Sequence, residues 1–210
     1  MSLPVLDAGG TAEAQGAAHG EAFAGLARHN LEVYLSRLEL EAHLPPPRVR
    51  EMAARWLAVT EVRDPDFVAG MRGIALGSGL DLLDVAVLNG RYELLYSQFG
   101  IIGLERERRK VDGCTAFAIP PRASANGHAL IGQNWDWIPE VKGVLVRTRF
   151  ENGSRVLAFT EAGIFGGKIG LNDAGLGLAM NGLTSTADAW DRDALPLHAR
   201  TWRALRARTL

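Results

Sequence analysis

The N-terminal part of the chain carries apolar residues at helical spacing. One stripe, at positions i, i+3, i+4 and i+7, comprises Phe23, Leu26, Ala27, Leu31, Tyr34, Leu35 and Leu38. Such a stripe is typical of a helix with one buried face. The three prolines at residues 45–47 predict its end, because proline cannot continue a helix. A second stripe over residues 49–57 predicts another helix.

Two further helices are predicted from their start signals. Asp64 followed by Pro65 suits the cap and first turn of a third helix, which the Gly-Ser-Gly run at residues 77–79 ends. Asp81 begins a fourth helix, which we expect to extend to Tyr92.

From Cys114 onward the apolar pattern has the character of strands. Turn sequences at residues 126–127, 152–153 and 172–175 separate apolar segments at 115–119, 128–137, 144–150, 155–160, 164–171 and 176–181. We predict about six antiparallel strands in a meander, followed by a helix from His198. Helices followed by antiparallel strands give the fold class α+β, in one domain over residues 1–210.

Composition narrows the class of protein. The chain has 210 residues, 47% hydrophobic and 22% charged, with a net charge of −1. This composition is ordinary for a globular domain and gives no basic footprint for a nucleic acid. No apolar run reaches the roughly 18 residues of a membrane span, and the first residues do not resemble a secretion signal. With a single cysteine we expect a cytoplasmic protein without a membrane partner.

Cys114 has two interpretations. A lone cysteine is commonly a small buried hydrophobic residue. However, Cys114 follows Gly113 where helices give way to strands, and glycine suits a strained bond because it adopts backbone angles barred to other residues. A thiol beside its own peptide carbonyl can attack it. Cleavage there would leave Cys114 as an N-terminus, whose α-amine, with an ordinary pKa near 8, can serve as the base for the thiol.

Other catalytic schemes have less support in the sequence. A Cys-His pair with His128 or His198 stays open, whereas His19, His29 and His43 are expected to be surface or packing residues. No Gly-x-Ser-x-Gly, His-Glu-x-x-His or Cys-x-x-Cys motif is present, so we predict neither a metal site nor a bound cofactor.

Three ordered motifs support a family resemblance. They are Asp-Gly-Cys-Thr at residues 112–115, Gly-Gln-Asn-Trp-Asp-Trp at 132–137, and Gly-Lys-Ile-Gly-Leu-Asn at 167–172 followed by Asn-Gly-Leu at 181–183. Together they resemble acyl-coenzyme A:6-aminopenicillanic acid acyltransferases (isopenicillin-N acyltransferase-like proteins). These have the N-terminal-nucleophile (Ntn) hydrolase fold, as do choloylglycine hydrolases and penicillin V acylases. Gln133, where choloylglycine hydrolases have arginine, favours the acyltransferase branch.

The resemblance implies an αββα sandwich. Residues 1–113 would form the helical segment, and residues 114–210 the start of the catalytic segment. The second half of the sandwich, with a further asparagine and an arginine of the family's site, has no counterpart in these 210 residues. We therefore expect the sequence to be cut short at its C-terminus, and the sandwich to be incomplete.

The resemblance also implies roles for individual residues. Cleavage would fall between Gly113 and Cys114, with Cys114 as nucleophile and, through its amine, as base. Asp136 would hold that amine, and Asn181 would help form the oxyanion hole.

The neighbours of these residues would be Gln133, Asn134 and Thr115. Alternation along a strand places Asn134 and Asp136 on one face and Trp135 and Trp137 on the other.

The expected activity is formation of a thioester acyl-enzyme and transfer of the acyl group to an amine or to water. Acyl-coenzyme A is a candidate co-substrate, and a homo-oligomer is left open. Two alternatives remain. One is an amide hydrolase of the choloylglycine or penicillin V acylase type, and the other is an inert truncated homologue that only binds a partner.

Overall fold

Helices and strands alternate in blocks along the part of the chain that the computed structural model describes, residues 2–96, 113–182 and 194–209. The first block is β1 (Val5–Gly9), α1 (Ala12–Leu40), α2 (Pro46–Arg63), α3 (Pro65–Ser78), α4 (Leu82–Asn89) and α5 (Arg91–Tyr96). The second is β2 (Thr115–Ile119), a 3₁₀ turn (Pro121–Ala123), β3 (Leu130–Asn134), β4 (Gly143–Arg149), β5 (Arg155–Glu161), β6 (Ile169–Asn172), β7 (Gly177–Leu178) and α6 (Leu197–Arg206). The fold is α+β.

The predicted helix starts are confirmed by their caps. The Asp64 carboxylate accepts a hydrogen bond from the Phe67 amide at 3.1 Å, and that of Asp81 accepts one from the Leu83 amide at 2.7 Å. The prediction of one helix from Asp81 to Tyr92 is wrong, because Gly90 separates α4 from α5.

Helices α1 and α3 approach each other through glycines. A Cβ atom at Gly16 would lie 1.9 Å from the Gly70 carbonyl oxygen, and one at Gly77 would lie 2.2 Å from the Ala17 carbonyl oxygen. The two backbones therefore touch, and no side chain fits between them at these positions.

The strands form two sheets, so the prediction of one meander is wrong. A five-stranded sheet has the order β1-β4-β5-β6-β7, and β2 pairs with β3 in a separate two-stranded sheet. After β3 the chain leaves the hairpin, and residues 135–142 run without strand pairing to the start of β4. Strand β1, which the sequence pattern did not predict, pairs in parallel with β4.

The strand predicted at residues 164–171 is also shorter than expected. Only Ile169–Asn172 pairs with β5, and the preceding segment is a buried loop. Gly163 and Gly166 have φ of 91° and 76° there, a backbone conformation that a strand cannot contain. The Asn89 carboxamide holds this loop by accepting from the Phe165 amide and donating to the Gly163 carbonyl, both at 3.0 Å.

One face of the larger sheet packs on the helices. Its inward side chains are Val144, Val146, Thr148, Val156, Ala158 and Thr160, all buried. Asn30 ties α1 to this sheet, because its carboxamide bonds the main chain of Lys142 twice and the Ala162 carbonyl once, at 2.7–3.0 Å. Helix α6, predicted from His198, packs Trp202 against Phe165. This arrangement is compatible with an Ntn-like fold.

Candidate active site

Cys114 lies directly before β2, and its side chain is partly buried. In the β2–β3 hairpin Thr115 is paired with Asn134, so one further step of the register places Cys114 opposite Trp135. The thiol sulfur lies 3.7 Å from the main-chain carbonyl oxygen of Asp136. The structure thus brings two predicted site residues together at the open end of the hairpin.

The contact to Asp136 is made through its backbone. The Asp136 side chain is exposed to solvent. The rings of Trp135 and Trp137 lie 5.9 Å apart, as expected for side chains that share a face. The carbonyl of Asp136 is therefore held between two partly buried tryptophans, beside the thiol.

Gln133 connects the hairpin to Asn181. The Gln133 amide accepts a hydrogen bond from the Met180 backbone N–H at 2.8 Å and donates to the Met180 carbonyl. It also donates to the Asn181 side-chain oxygen at 3.2 Å. This bond orients the exposed Asn181 carboxamide, so that its oxygen faces Gln133 and its N–H₂ group points away from Gln133. Gln133 and Trp135 are two residues apart in an extended segment, so their side chains share a face, and Cys114, opposite Trp135, shares it too. Asn181 therefore contacts the hairpin on the same face as Cys114.

The other predicted neighbours lie elsewhere. Thr115 and Asn134 are direct partners across the hairpin and are both exposed. Their position, one residue from Cys114 and Trp135, places them on the opposite face. Asp112 and Leu183, which belong to the motifs of the resemblance, lie outside the described residues.

Gly113 is exposed, and no atom of the described residues would lie within 4 Å of a Cβ atom added there. Its preceding neighbour, Asp112, lies outside the described residues, so strain at the bond before Cys114 stays a prediction.

Neither candidate histidine can serve Cys114 as a base. His198 is buried, with Nδ1 2.6 Å from the Asn89 carbonyl oxygen and Nε2 2.9 Å from an Arg91 nitrogen. Arginine only donates, so Nε2 accepts, Nδ1 donates, and both ring nitrogens are occupied. His128 lies at the turn end of the hairpin, and the five residues of β3, about 17 Å of strand, separate it from the end where Cys114 lies.

His19 and His29 make structural contacts on the helices. His19 is buried and accepts a hydrogen bond from the Gly163 amide at 2.9 Å. Nε2 of His29 lies 2.8 Å from the Glu140 carbonyl oxygen. They are packing or surface residues, as expected.

A buried ionic cluster lies behind the tryptophans, and the sequence did not predict it. Glu161, on β5, accepts hydrogen bonds from Arg91 at 2.6 and 3.1 Å, from the Tyr34 hydroxyl at 2.7 Å, and from Lys168. The Trp137 indole donates to the Tyr34 oxygen at 2.6 Å. The cluster is therefore bonded to the same segment that contacts Cys114.

Burial and charge shift the pKa values of this cluster. Burial alone would raise the pKa of Glu161, but Arg91 and Lys168 together lower it to about 2. Burial lowers the pKa of Lys168 to about 7, although Glu161 opposes the shift. Burial and the positive charge of Arg91 lower the pKa of His198 well below its ordinary value. Glu161 and Arg91 thus form the charged pair, with His198 neutral beside them.

One sequence signal for this cluster is charge within apolar segments. Glu161 follows the run Val-Leu-Ala-Phe-Thr, and Lys168 stands between glycine and isoleucine. A charged residue in such a run is commonly buried with a partner.

A pocket of about 170 Å³ opens beside the segment that contacts the thiol. Its lining residues are Trp135, Trp137, Ile138, Pro139, Val141, Gly143, Phe159 and Glu161. Most lining side chains are apolar and the Glu161 carboxylate is engaged by the cluster, but polar atoms provide about half of the accessible lining. An apolar cavity of about 150 Å³ can hold benzene, so this pocket is large enough for one aromatic ring or a short alkyl group.

Comparison with known proteins finds a relative among the acyltransferases. Over 127 residues, 60% of this chain, the sequence is 35% identical to "Acyl-coenzyme A:6-aminopenicillanic-acid-acyltransferase 40 kDa form" of Emericella nidulans. The match spans 32% of the length of that protein. No family model matches the chain. The similarity is to part of an acyltransferase, in a chain whose cysteine contacts the segment that forms one wall of a pocket.

Two further properties concern the described ranges alone. Within residues 2–96, 113–182 and 194–209 no three or more His, Cys, Asp or Glu side chains are grouped as for a metal ion. None of the helices in these ranges has both the length and the apolar character needed to cross a lipid bilayer.

Proposed function

We propose that this chain is a self-processing cysteine acyltransferase or amide hydrolase of the Ntn type, related to the acyl-coenzyme A:6-aminopenicillanic acid acyltransferases. The observation that carries the proposal is the position of Cys114. Its thiol lies at the start of a strand, against the carbonyl of Asp136, and the two tryptophans that flank Asp136 line a pocket. The 35% identity with an acyltransferase supports the same chemistry.

Maturation would use the thiol of Cys114 against the carbonyl of Gly113. The C–N bond breaks as a C–S bond forms, which gives a thioester to Gly113 and a free α-amine on Cys114. Water then hydrolyses the thioester, leaving a carboxylate on Gly113 and a free thiol. Gly113 is exposed, so the water needed for this step has access to the bond.

Turnover would use the same thiol on an external carbonyl. The new α-amine takes the thiol proton, and the thiolate adds to an amide or thioester carbonyl. The tetrahedral intermediate expels an amine or a thiol, which receives the proton, and an acyl-enzyme thioester remains. An amine or water then attacks this thioester and regenerates the Cys114 thiol. The pocket walled by Trp135 and Phe159 would hold the apolar end of the acyl group.

Three other residues would assist this chemistry. The N–H₂ group of Asn181, oriented by Gln133, can donate to the oxyanion, an effect worth about 10²–10³ in rate in other enzymes. The exposed carboxylate of Asp136 would pair with the α-ammonium of Cys114 once the chain is cut.

Intact mass under denaturing conditions, with N-terminal sequencing, tests the proposal. We expect two chains from the wild type, one beginning Cys114-Thr115-Ala116, and a single chain from Cys114→Ala. Asn126→Ala, in the exposed turn of the same hairpin, is the matched control and should still be cut. A folded wild type that stays uncut and forms no covalent adduct with an activated acyl ester would refute the proposal and favour the inert homologue.

Product analysis separates transferase from hydrolase. Both share every step up to the acyl-enzyme, so the acceptor alone distinguishes them. N-acyl product from an acyl-thioester and an amine identifies a transferase. A free carboxylic acid as sole product identifies an amide hydrolase like the choloylglycine and penicillin V enzymes.

A further inference from the structure

Tyr34, on α1, is fully buried and bonds the segment that contacts Cys114. The Trp137 indole N–H donates to its hydroxyl oxygen at 2.6 Å, and the hydroxyl donates to Glu161 at 2.7 Å. An indole only donates and an ionised carboxylate only accepts, so the direction of both hydrogen bonds is fixed. Burial raises the pKa of Tyr34 well above its ordinary value, so the hydroxyl keeps the proton that it donates.

Trp137 is directly bonded to the residue whose carbonyl contacts the thiol. That residue is Asp136, and its carbonyl oxygen lies 3.7 Å from the sulfur of Cys114. Residues 135–142 run without strand pairing, so the sheets do not hold this segment in place. Its position therefore depends on how its side chains are anchored.

The two tryptophans of the segment contact the buried ionic cluster in two ways. The Arg91 guanidinium lies 5.4 Å from the centroid of the Trp137 ring. The Lys168 ammonium lies 4.5 Å from that of Trp135. A cation is attracted to the face of a ring, but this attraction does not select where the edge of the ring points. The hydrogen bond to Tyr34 does select it, because the indole N–H must point at the hydroxyl oxygen.

We propose that Tyr34 is a positioning residue for Cys114. Its hydroxyl fixes the Trp137 ring and, with it, the Asp136 carbonyl that contacts the thiol. The inference rests on the proposed function, in which Cys114 is the nucleophile. Tyr34 is not among the described residues that line the pocket, so it acts on the position of the reacting group and not on binding of the acyl group.

Tyr34→Phe tests the inference with a small change to the core. It keeps the ring, whose centroid lies 5.1 Å from the Arg91 guanidinium, and Glu161 keeps its hydrogen bonds from Arg91 and Lys168. The fold should therefore persist. The readout is the burst of p-nitrophenol from p-nitrophenyl butyrate, which reports acylation of Cys114. A misplacement of about 1 Å can cost about 10²-fold in rate, so we expect the maximal acylation rate to fall about tenfold, with the half-saturating ester concentration unchanged.

Thr60→Val is the matched control. It also removes one buried hydroxyl, which donates to the Trp56 carbonyl at 2.7 Å within α2, and it keeps the shape of the side chain. It should leave the maximal acylation rate at the wild-type value. A fall as large in Thr60→Val as in Tyr34→Phe overturns the inference, since the effect would then follow the loss of a buried hydrogen bond anywhere in the core.

Trp137→Phe removes the same hydrogen bond from its donor side. It should also slow acylation, and the double variant Tyr34→Phe/Trp137→Phe should be no slower than the slower single variant, because both changes break one interaction. Rate losses that multiply in the double variant overturn the inference. Where Tyr34→Phe does not fold, Trp137→Phe decides alone, and a wild-type acylation rate in that variant overturns the inference.

NMR spectra separate failure of this inference from failure of the proposed function. The backbone amide signals of Cys114 and Asp136 should shift in Tyr34→Phe and keep their wild-type positions in Thr60→Val, with or without activity. A chain that is cut and acylated, but in which Tyr34→Phe changes neither these signals nor the acylation rate, refutes the inference alone. Signals that depend on Tyr34 in a chain that is never cut and never acylated refute the proposed function alone.

Discussion

Replacing Gly16 by alanine should destabilise the protein through the contact of α1 with α3. The added Cβ would lie 1.9 Å from the Gly70 carbonyl oxygen, and ordinary contact begins at 3.4 Å, so the backbones must separate by about 1.5 Å. Overpacking a close contact costs roughly 1–3 kcal/mol, and a rigid backbone neighbour places this site at the upper end. Alanine regains up to about 1 kcal/mol of helix propensity. The net loss should be about 2 kcal/mol.

Thermal unfolding measures this loss against a control in the same helix. For a chain of this size about 1 kcal/mol shifts Tm by about 2–4 °C, so Gly16→Ala should lower Tm by about 4–8 °C. Gly25 is exposed, with nothing within 4 Å of an added Cβ, and Gly25→Ala should leave Tm unchanged or raise it slightly. A Gly16→Ala protein as stable as Gly25→Ala would refute the close packing of the two helices.

Three other variants probe the core and the pocket. Burial lowers the pKa of His19 to about 4, so the unfolded chain binds its proton first, and urea unfolding should show stability falling by up to about 3 kcal/mol as pH drops from 6.5 to 4. His19→Gln should remove that dependence, and an unchanged slope would contradict the assignment. Glu161→Gln leaves Arg91 and Lys168 without their carboxylate and should cost about 3–5 kcal/mol in the same assay, whereas a loss below about 1 kcal/mol would mean the cluster is hydrated. Gly143→Ala would place a Cβ atom 2.4 Å from the Phe159 ring and narrow the pocket. The KM for a donor with a bulky acyl group should therefore rise about tenfold more than the KM for a donor with an acetyl group. Equal changes in the two KM values would exclude the pocket as the site that binds the acyl group.

The features predicted correctly from the sequence are those specified by neighbouring residues. The caps at Asp64 and Asp81 act within three residues, and the turns at Gly127 and Gly153 need only their own positive φ of 72° and 83°. Strand β1 escaped prediction because five residues give little periodicity, and its partner β4 is about 140 residues away.

The site shows the same division. Cys114 and the segment around Asp136 lie across from each other at the open end of one hairpin, and the motifs predicted both as site residues. The buried cluster depends on the pairing of Arg91 with Glu161, 70 positions apart, and sequence patterns do not report pairings over such a separation.

The buried cluster joins the two sides of the Gly113–Cys114 bond. Tyr34 and Arg91 come from the N-terminal side, and Glu161 and Lys168 from the C-terminal side. Strand β1 is likewise hydrogen-bonded to β4 across the same point. A cut at this bond would therefore yield a tightly associated heterodimer, whose fragments elute as one species under native conditions and separate only in denaturant. Reassembly of the separated fragments would then depend on protein concentration, whereas refolding of the uncut chain would not.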